Sequence, residues 1–214
     1  MEALVALVRS LPAVFPHAML VVLHVSPTGT SVLPAILGRA CALPVVSPAD
    51  GEPLRAGHVY VAPPDVHLVV EDANLRLSRM PRENGHRPAI DPTMRSAAAA
   101  YGGDTVGIVL TGARHDGTGG LMAIKAEGGA AIVQDPAEAL HAAMPLSAIA
   151  HLTPDAVLPI GEMAAWIVEH VPGPLSSDDD DPGAMPKRLA GRVRGNDHGR
   201  AERAPVDEEM VAES

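Results

Sequence analysis

What is scarce in this chain narrows its identity first. One Phe, one Trp and two Tyr make aromatics only 2% of 214 residues, so Val, Leu, Ile, Ala and Met must fill any core. A lone cysteine, Cys41, excludes an internal disulfide; it fits a reducing compartment and a packing role. Basic residues are in deficit: 16 Lys and Arg against 26 Asp and Glu leave a formal net charge of −10. That balance argues against a general nucleic-acid binder, which carries a basic patch or stripe. No apolar run reaches the roughly 18 residues of a membrane-spanning helix, so no membrane insertion is expected. Glu2, Arg9, Pro12, Pro16 and His17 interrupt the first stretch, which speaks against a signal peptide. These absences leave a cytoplasmic globular protein, 47% hydrophobic and long enough for one sizeable domain.

The chain opens MEALVALVRS, where Leu4, Leu7, Val8 and Leu11 recur at i, i+3, i+4 and i+7, one buried helix face. No capping residue stands ahead of it. AMLVVLHVSP then reads as a strand buried on both faces, and TSVLPAILGRA as a helix with Pro34 in its early turns. SPADGEPLRAG is turn chemistry. HVYVAPP, VHLVVED and NLRLSRM predict three short strands, a small antiparallel excursion over about 58–79. RENGHRPAIDP is a polar loop leading to a helix through TMRSAAAAYGG, with Gly102 as its stop. TVGIVLTG, AAIVQD and DAVLPI predict further strands, alternating with helices in GLMAIKAEGG, PAEALHAAMPLSAIA and GEMAAWIVEHV. The alternation predicts an α/β fold with a mainly parallel, doubly wound sheet over 1–171. Over 172–214 the charge runs, Pro and Gly predict a disordered tail.

Ligands of an open α/β sheet bind beyond the carboxyl ends of its strands. Two titratable residues fall there: His24, at the end of LVVLHVSP, and Asp116, in LTGARHDGTGG. A His at a strand end also suits packing, and Asp before Gly also suits a turn or N-cap. Together they can form a base and its orienting carboxylate, lacking only a nucleophile. The rival for GARHDGTGG is a phosphate cradle, but Met122 stands where the third glycine would be, and no G-K-[ST] follows. His24, His58, His67, His86, His115 and Asp116 show no metal-ligand spacing, so neither metal nor cofactor is expected.

LVVLHVSP, DGEPLRAGHVYVAPPDVHL, NGHRPAIDPTMRSAA, GIVLTGARHDGTGGLMAIKAEGG, VQDP and AMPLSAI follow one another in an order that resembles the catalytic domain of the chemotaxis protein-glutamate methylesterases, the CheB family. The resemblance covers 1–171 and implies a doubly wound α/β serine hydrolase. Such an enzyme removes methyl esters from chemoreceptor glutamates and deamidates receptor glutamines. By position, His24 is the implied general base, Asp116 its partner, and a backbone N–H near Ala113 an oxyanion donor. Ala113-Arg114 stands where many members have Met-Gly. The segment from Gly85 to Asp91 is expected near the substrate crevice. No room is expected for the family's receiver domain, so phosphorylation control of that kind is expected either to be absent or to be supplied by a separate response regulator.

The family's nucleophile is a serine in a Gly-x-Ser-x-Gly-Gly loop between the central strand and a helix like EALVALV. Both strand and loop are expected ahead of Met1, which leaves no nucleophile in this chain. Ser10 lies at the far end of the first helix, and Ser26 lacks a strand–turn–helix setting. The chain as it stands is therefore expected to be inactive. Either the natural product starts earlier, or the chain is a non-catalytic regulatory or receptor-binding module.

Overall fold

Short apolar runs form two small parallel sheets, and amphipathic helices cover them. The computed structural model describes residues 1–29 and 31–171; the tail expected over 172–214 lies outside the described residues. In chain order the first half comprises α1 (Glu2–Ser10), β1 (Met19–Val21), α2 (Leu33–Gly38), β2 (Val45–Val46), β3 (Glu52–Pro53), β4 (Val59–Val61), β5 (His67–Glu71) and β6 (Asn74–Ser78). The second half comprises α3 (Ile90–Tyr101), β7 (Val106–Val109), α4 (Thr118–Ala126), β8 (Ala130–Gln134), α5 (Ala143–His151), β9 (Ala156–Leu158) and α6 (Ile160–His170).

The parallel sheets have the orders β1-β4-β2 and β7-β8-β9. Leu7 and Val8 of α1, Leu37 of α2 and Met163 and Ile167 of α6 share one core with Val59, Val61 and Ile132. The fold class read from the sequence holds, with one shift. The antiparallel sheet is β3-β6-β5, starting at Glu52 instead of about 58, and β4 belongs to the parallel sheet between β1 and β2. The cause is burial: Val59, Tyr60 and Val61 are all fully buried, on two different core clusters, as an interior parallel strand requires. Asp72 and Ala73, with φ of 49° and 62°, make the two-residue turn of the β5–β6 hairpin.

β1 ends earlier than the apolar run, so His24 lies in the segment beyond its carboxyl end. Among the described residues no strand pairs with the outer edge of β1 or of β7. Between them lies a cavity of about 300 Å³, lined by Met19, Val21 and Leu23 on one side and Val106, Ile108 and Leu110 on the other. His17 and Tyr101 also line it, and His17 Nε2 and Tyr101 OH are buried without a hydrogen-bond partner among the described residues. Burial lowers the His17 pKa and pushes that of Tyr101 up to about 12.

The helices α3 and α4 approach closely because glycine faces the contact. A Cβ on Gly120 would stand 2.5 Å from Met94 Cβ, and one on Gly107 2.5 Å from Leu121 Cδ2. Gly120→Ala is therefore expected to force α3 and α4 apart and to destabilise the fold by about 1–3 kcal/mol. The check is a lowered urea midpoint at unchanged slope; an unchanged midpoint would contradict the packing.

Candidate active site

The site is assembled where two helix N-termini meet. An α-helix leaves its first N–H groups without intrahelical acceptors. For α3 those of Ile90 and Asp91 are taken by Asp116, at 2.7 Å to Oδ2 and 3.2 Å to Oδ1. For α4 those of Gly117 and Gly120 are taken by Asp91 Oδ1, at 2.9 and 2.7 Å. Each carboxylate thus caps the other's helix. In GARHDGTGG the first N–H groups of α4 are thus taken by the chain's own carboxylate, where a phosphate cradle would need them free. The glycines serve close packing, and Gly117, at φ 94°, takes the left-handed conformation that starts α4.

Asp116 is almost fully buried and accepts two further side-chain bonds, from Asn84 Nδ2 at 2.8 Å and His24 Nε2 at 2.6 Å. Burial alone would raise its pKa. The His24, Ile90, Asn84 and Asp91 donors outweigh burial and bring it down to about 2, so Asp116 stays ionised. Because Nε2 of His24 is bound to an ionised carboxylate, that nitrogen carries the proton. Nδ1 keeps its lone pair and is the basic nitrogen.

The sequence-based pair His24 and Asp116 is therefore brought together. Thr111 N–H donates to Oε1 of the buried Gln134 at 2.7 Å, and the Gly112 N–H and C=O bond His141 and Met144, which fixes the start of the 111–117 loop. Ala113 is exposed, and its N–H has no acceptor among the described residues. His115 is exposed and takes no part in the pair. Ser10 Oγ donates to the Leu7 carbonyl and Ser26 Oγ lies 3.1 Å from Thr28 Oγ1. No hydroxyl among the described residues hydrogen-bonds Nδ1 of His24. His58 stays apart, its Nδ1 bonded to the Ala56 carbonyl.

Three further residues shape the site, and of these only His86 lies in the 85–91 segment expected near the crevice. Asn84 bridges Asp116 and Asp91, donating to each at 2.8 Å. His86 stacks on His24, with ring centroids 3.7 Å apart and planes within 7°. His67 is fully buried and ties both ends of the 81–89 loop, donating from Nε2 to Pro81 O at 3.0 Å and accepting the Ala89 N–H at Nδ1 at 3.2 Å. The loop is braced further by Arg87 on Asp65 and on the carbonyls of Arg79 and Met80, and by Arg95 on Glu83. The signal available for Asn84 and His86 is the Asn-Gly dipeptide, a strong two-residue turn signature.

Comparisons with known proteins agree on one family. A family model described as CheB methylesterase matches residues 1–167. The protein-glutamate methylesterase/protein-glutamine glutaminase 1 of Paramagnetospirillum magneticum is 43% identical over 150 residues, 68% of this chain and 39% of its own length. A putative protein-glutamate methylesterase/protein-glutamine glutaminase of Leptospira interrogans is 36% identical over 168 residues, 78% of this chain and 87% of its own length. The crystal structure of the Thermotoga maritima CheB methylesterase catalytic domain superposes with a TM-score of 0.74 at 33% identity, covering 78% of this chain and 91% of that one. The chain thus spans about two fifths of the Paramagnetospirillum relative and most of the catalytic-domain structure.

The depressed pKa of Asp116 makes stability depend on pH with a definite sign. The unfolded carboxylate, near 3.8, binds a proton more readily than the folded one, near 2. Its contribution is therefore complete above about pH 5 and is lost as pH falls through 3.8 toward 2, an effect of about 2 kcal/mol. Asp116→Asn is expected to lower stability at pH 7 and to flatten this acid limb in urea titrations from pH 6 to 2. An unchanged acid limb in the variant would refute the assignment.

Proposed function

The chain belongs to the CheB methylesterase family, a family of hydrolases, and we propose that it hydrolyses methyl esters on protein glutamates with His24 as general base and Asp116 as its orienting carboxylate. The observation that carries this reading is the 2.6 Å bond from His24 Nε2 to an ionised, buried Asp116, which leaves Nδ1 as a directed base. The nucleophile in this reading is a serine hydroxyl on an extended strand seated in the cavity between β1 and β7. The two flanking edges are parallel strands whose carboxyl ends lie on the His24 side, so a strand running with them would end beside Nδ1.

In the reaction the hydroxyl attacks the ester carbonyl while Nδ1 takes its proton. The N–H of Ala113, which has no acceptor among the described residues, is the donor offered to the resulting oxyanion. Collapse expels methanol, which receives the proton from Nδ1, and leaves an acyl-enzyme. Water then attacks the acyl carbonyl, giving a proton to Nδ1. Collapse breaks the bond to the serine oxygen, which takes that proton back, and the glutamate leaves as its carboxylate with its acid proton passing to solvent. Deamidation of glutamine follows the same steps with ammonia leaving. The substrates in this reading are methylated glutamates of chemoreceptors, in the cytoplasm, with control by a separate response regulator. No helix among the described residues is long and apolar enough to cross a membrane. A second reading, a non-catalytic receptor-binding module, is favoured by one observation: no hydroxyl among the described residues meets Nδ1.

The test is methanol release from methylated receptor, using residues 1–214 and the same chain preceded by a strand ending in Gly-x-Ser-x-Gly-Gly. Turnover is expected in the extended form, falling about 10³–10⁴-fold in His24→Ala or Asp116→Ala. Receptor binding without methanol release in both forms would select the module instead.

A further inference from the structure

Glu83 and His86 exchange both backbone hydrogen bonds, at 3.1 and 2.9 Å, around Asn84 and Gly85 with φ of 53° and 83°. Two central residues of positive φ define the tight turn that Asn-Gly favours. This turn delivers two side chains to the site. Asn84 goes to the carboxylates, and the ring of His86 goes flat onto His24. The His24 side chain is 23% exposed, so packing does not enclose it, and its one hydrogen bond to Asp116 is a single point of attachment. A second constraint is needed to hold the ring plane, and only a face contact supplies it without occupying Nδ1.

We propose that His86 is a positioning residue for the base: its ring fixes the plane of His24 so that Nδ1 points to the nucleophile while Nε2 stays on Asp116. The proposal rests on the reading of His24 as general base. The groups facing His86 are His24 beyond β1, Asp116 and Arg114 on the loop before α4, and Arg82 and Glu83 in its own loop, where Glu83 is held by Arg95 of α3. Burial and the positive neighbours His24, Arg114 and Arg82 lower the His86 pKa, and Asp116 opposes them only in part. His86 is thus neutral near pH 7, and its ring faces the imidazolium that forms when Nδ1 takes a proton. Such a contact is favourable, whereas two stacked cations repel. Protonating His86 in acid would therefore oppose proton uptake by its neighbour.

Two substitutions separate this role from a structural one. His86→Phe keeps a flat neutral ring, and His86→Ala removes it. In the 1–214 chain, the His24 ring resonances are expected to carry a ring-current shift in the unmodified protein and in His86→Phe, and to lose it in His86→Ala. A second inflection in the His24 pH titration, from protonation of His86, is expected in the unmodified protein and absent in His86→Phe. In the serine-bearing extended form, kcat is expected to fall roughly fivefold in His86→Ala at unchanged KM, and to recover in His86→Phe. Unchanged His24 resonances or unchanged kcat in His86→Ala would overturn the proposal, as would failure of His86→Phe to restore either. Turnover absent from every form, with the ring-current pattern as expected, would instead remove the hydrolase reading and the catalytic role of the stack with it.

Discussion

Two helix N-termini buried against each other set the terms for this molecule. The first N–H groups of α3 and α4 point into the interior, where water cannot serve them, and an unmet buried donor costs about 1–3 kcal/mol. The chain meets the demand with two aspartates exchanged between the helices, Asp116 onto α3 and Asp91 onto α4. Much else follows. Helices capped in this way must lie close, which requires the glycines at 117 and 120, while Gly107 lets α4 settle on β7. The caps require ionised carboxylates, and the same donors keep Asp116 charged. An ionised Asp116 in turn dictates which nitrogen of His24 holds a proton. The carboxylate that holds His24 is thus also a structural cap, and one side chain serves both contacts.

Around that core the site is built in layers from distant parts of the chain. His24 comes from the segment after β1, Asp116 from the loop after β7, and the Asn84 amide and His86 ring that contact them from a turn between β6 and α3. The cavity between β1 and β7 opens where these parts converge. Its walls are mostly apolar, and two buried polar atoms there, on His17 and Tyr101, have no hydrogen-bond partner among the described residues.

What could be read from the residues was whatever local pattern expresses. Apolar runs and helical spacing gave the α/β class, and strand ends gave His24 and Asp116. The antiparallel sheet was misplaced at its start because VYV alternates in neither direction: it is buried on both faces, which one segment alone does not reveal. Val45–Val46 is too short for any periodicity to register. His67 looked like an ordinary strand histidine because its partners, Pro81 and Ala89, are remote in sequence. Asp91 falls in the segment expected near the crevice, without a role; that it caps the neighbouring helix is visible only in the tertiary fold. The Asn-Gly turn was visible as a dipeptide; what it would hold was not, since Asp91, Asp116 and His24 reach it only through the tertiary fold.

The attachment of the 81–89 loop to His67 has a thermodynamic side. A site loop fastened only by surface ion pairs could peel away while the interior stayed intact, and would sample open states at little cost. Here both ends of the loop hang from one imidazole that is wholly inside the protein. Releasing the loop means leaving that ring's two nitrogens unsatisfied in the interior. Local opening near the base therefore approaches the cost of disrupting the core beneath it, and the loop and the core should melt as one cooperative unit.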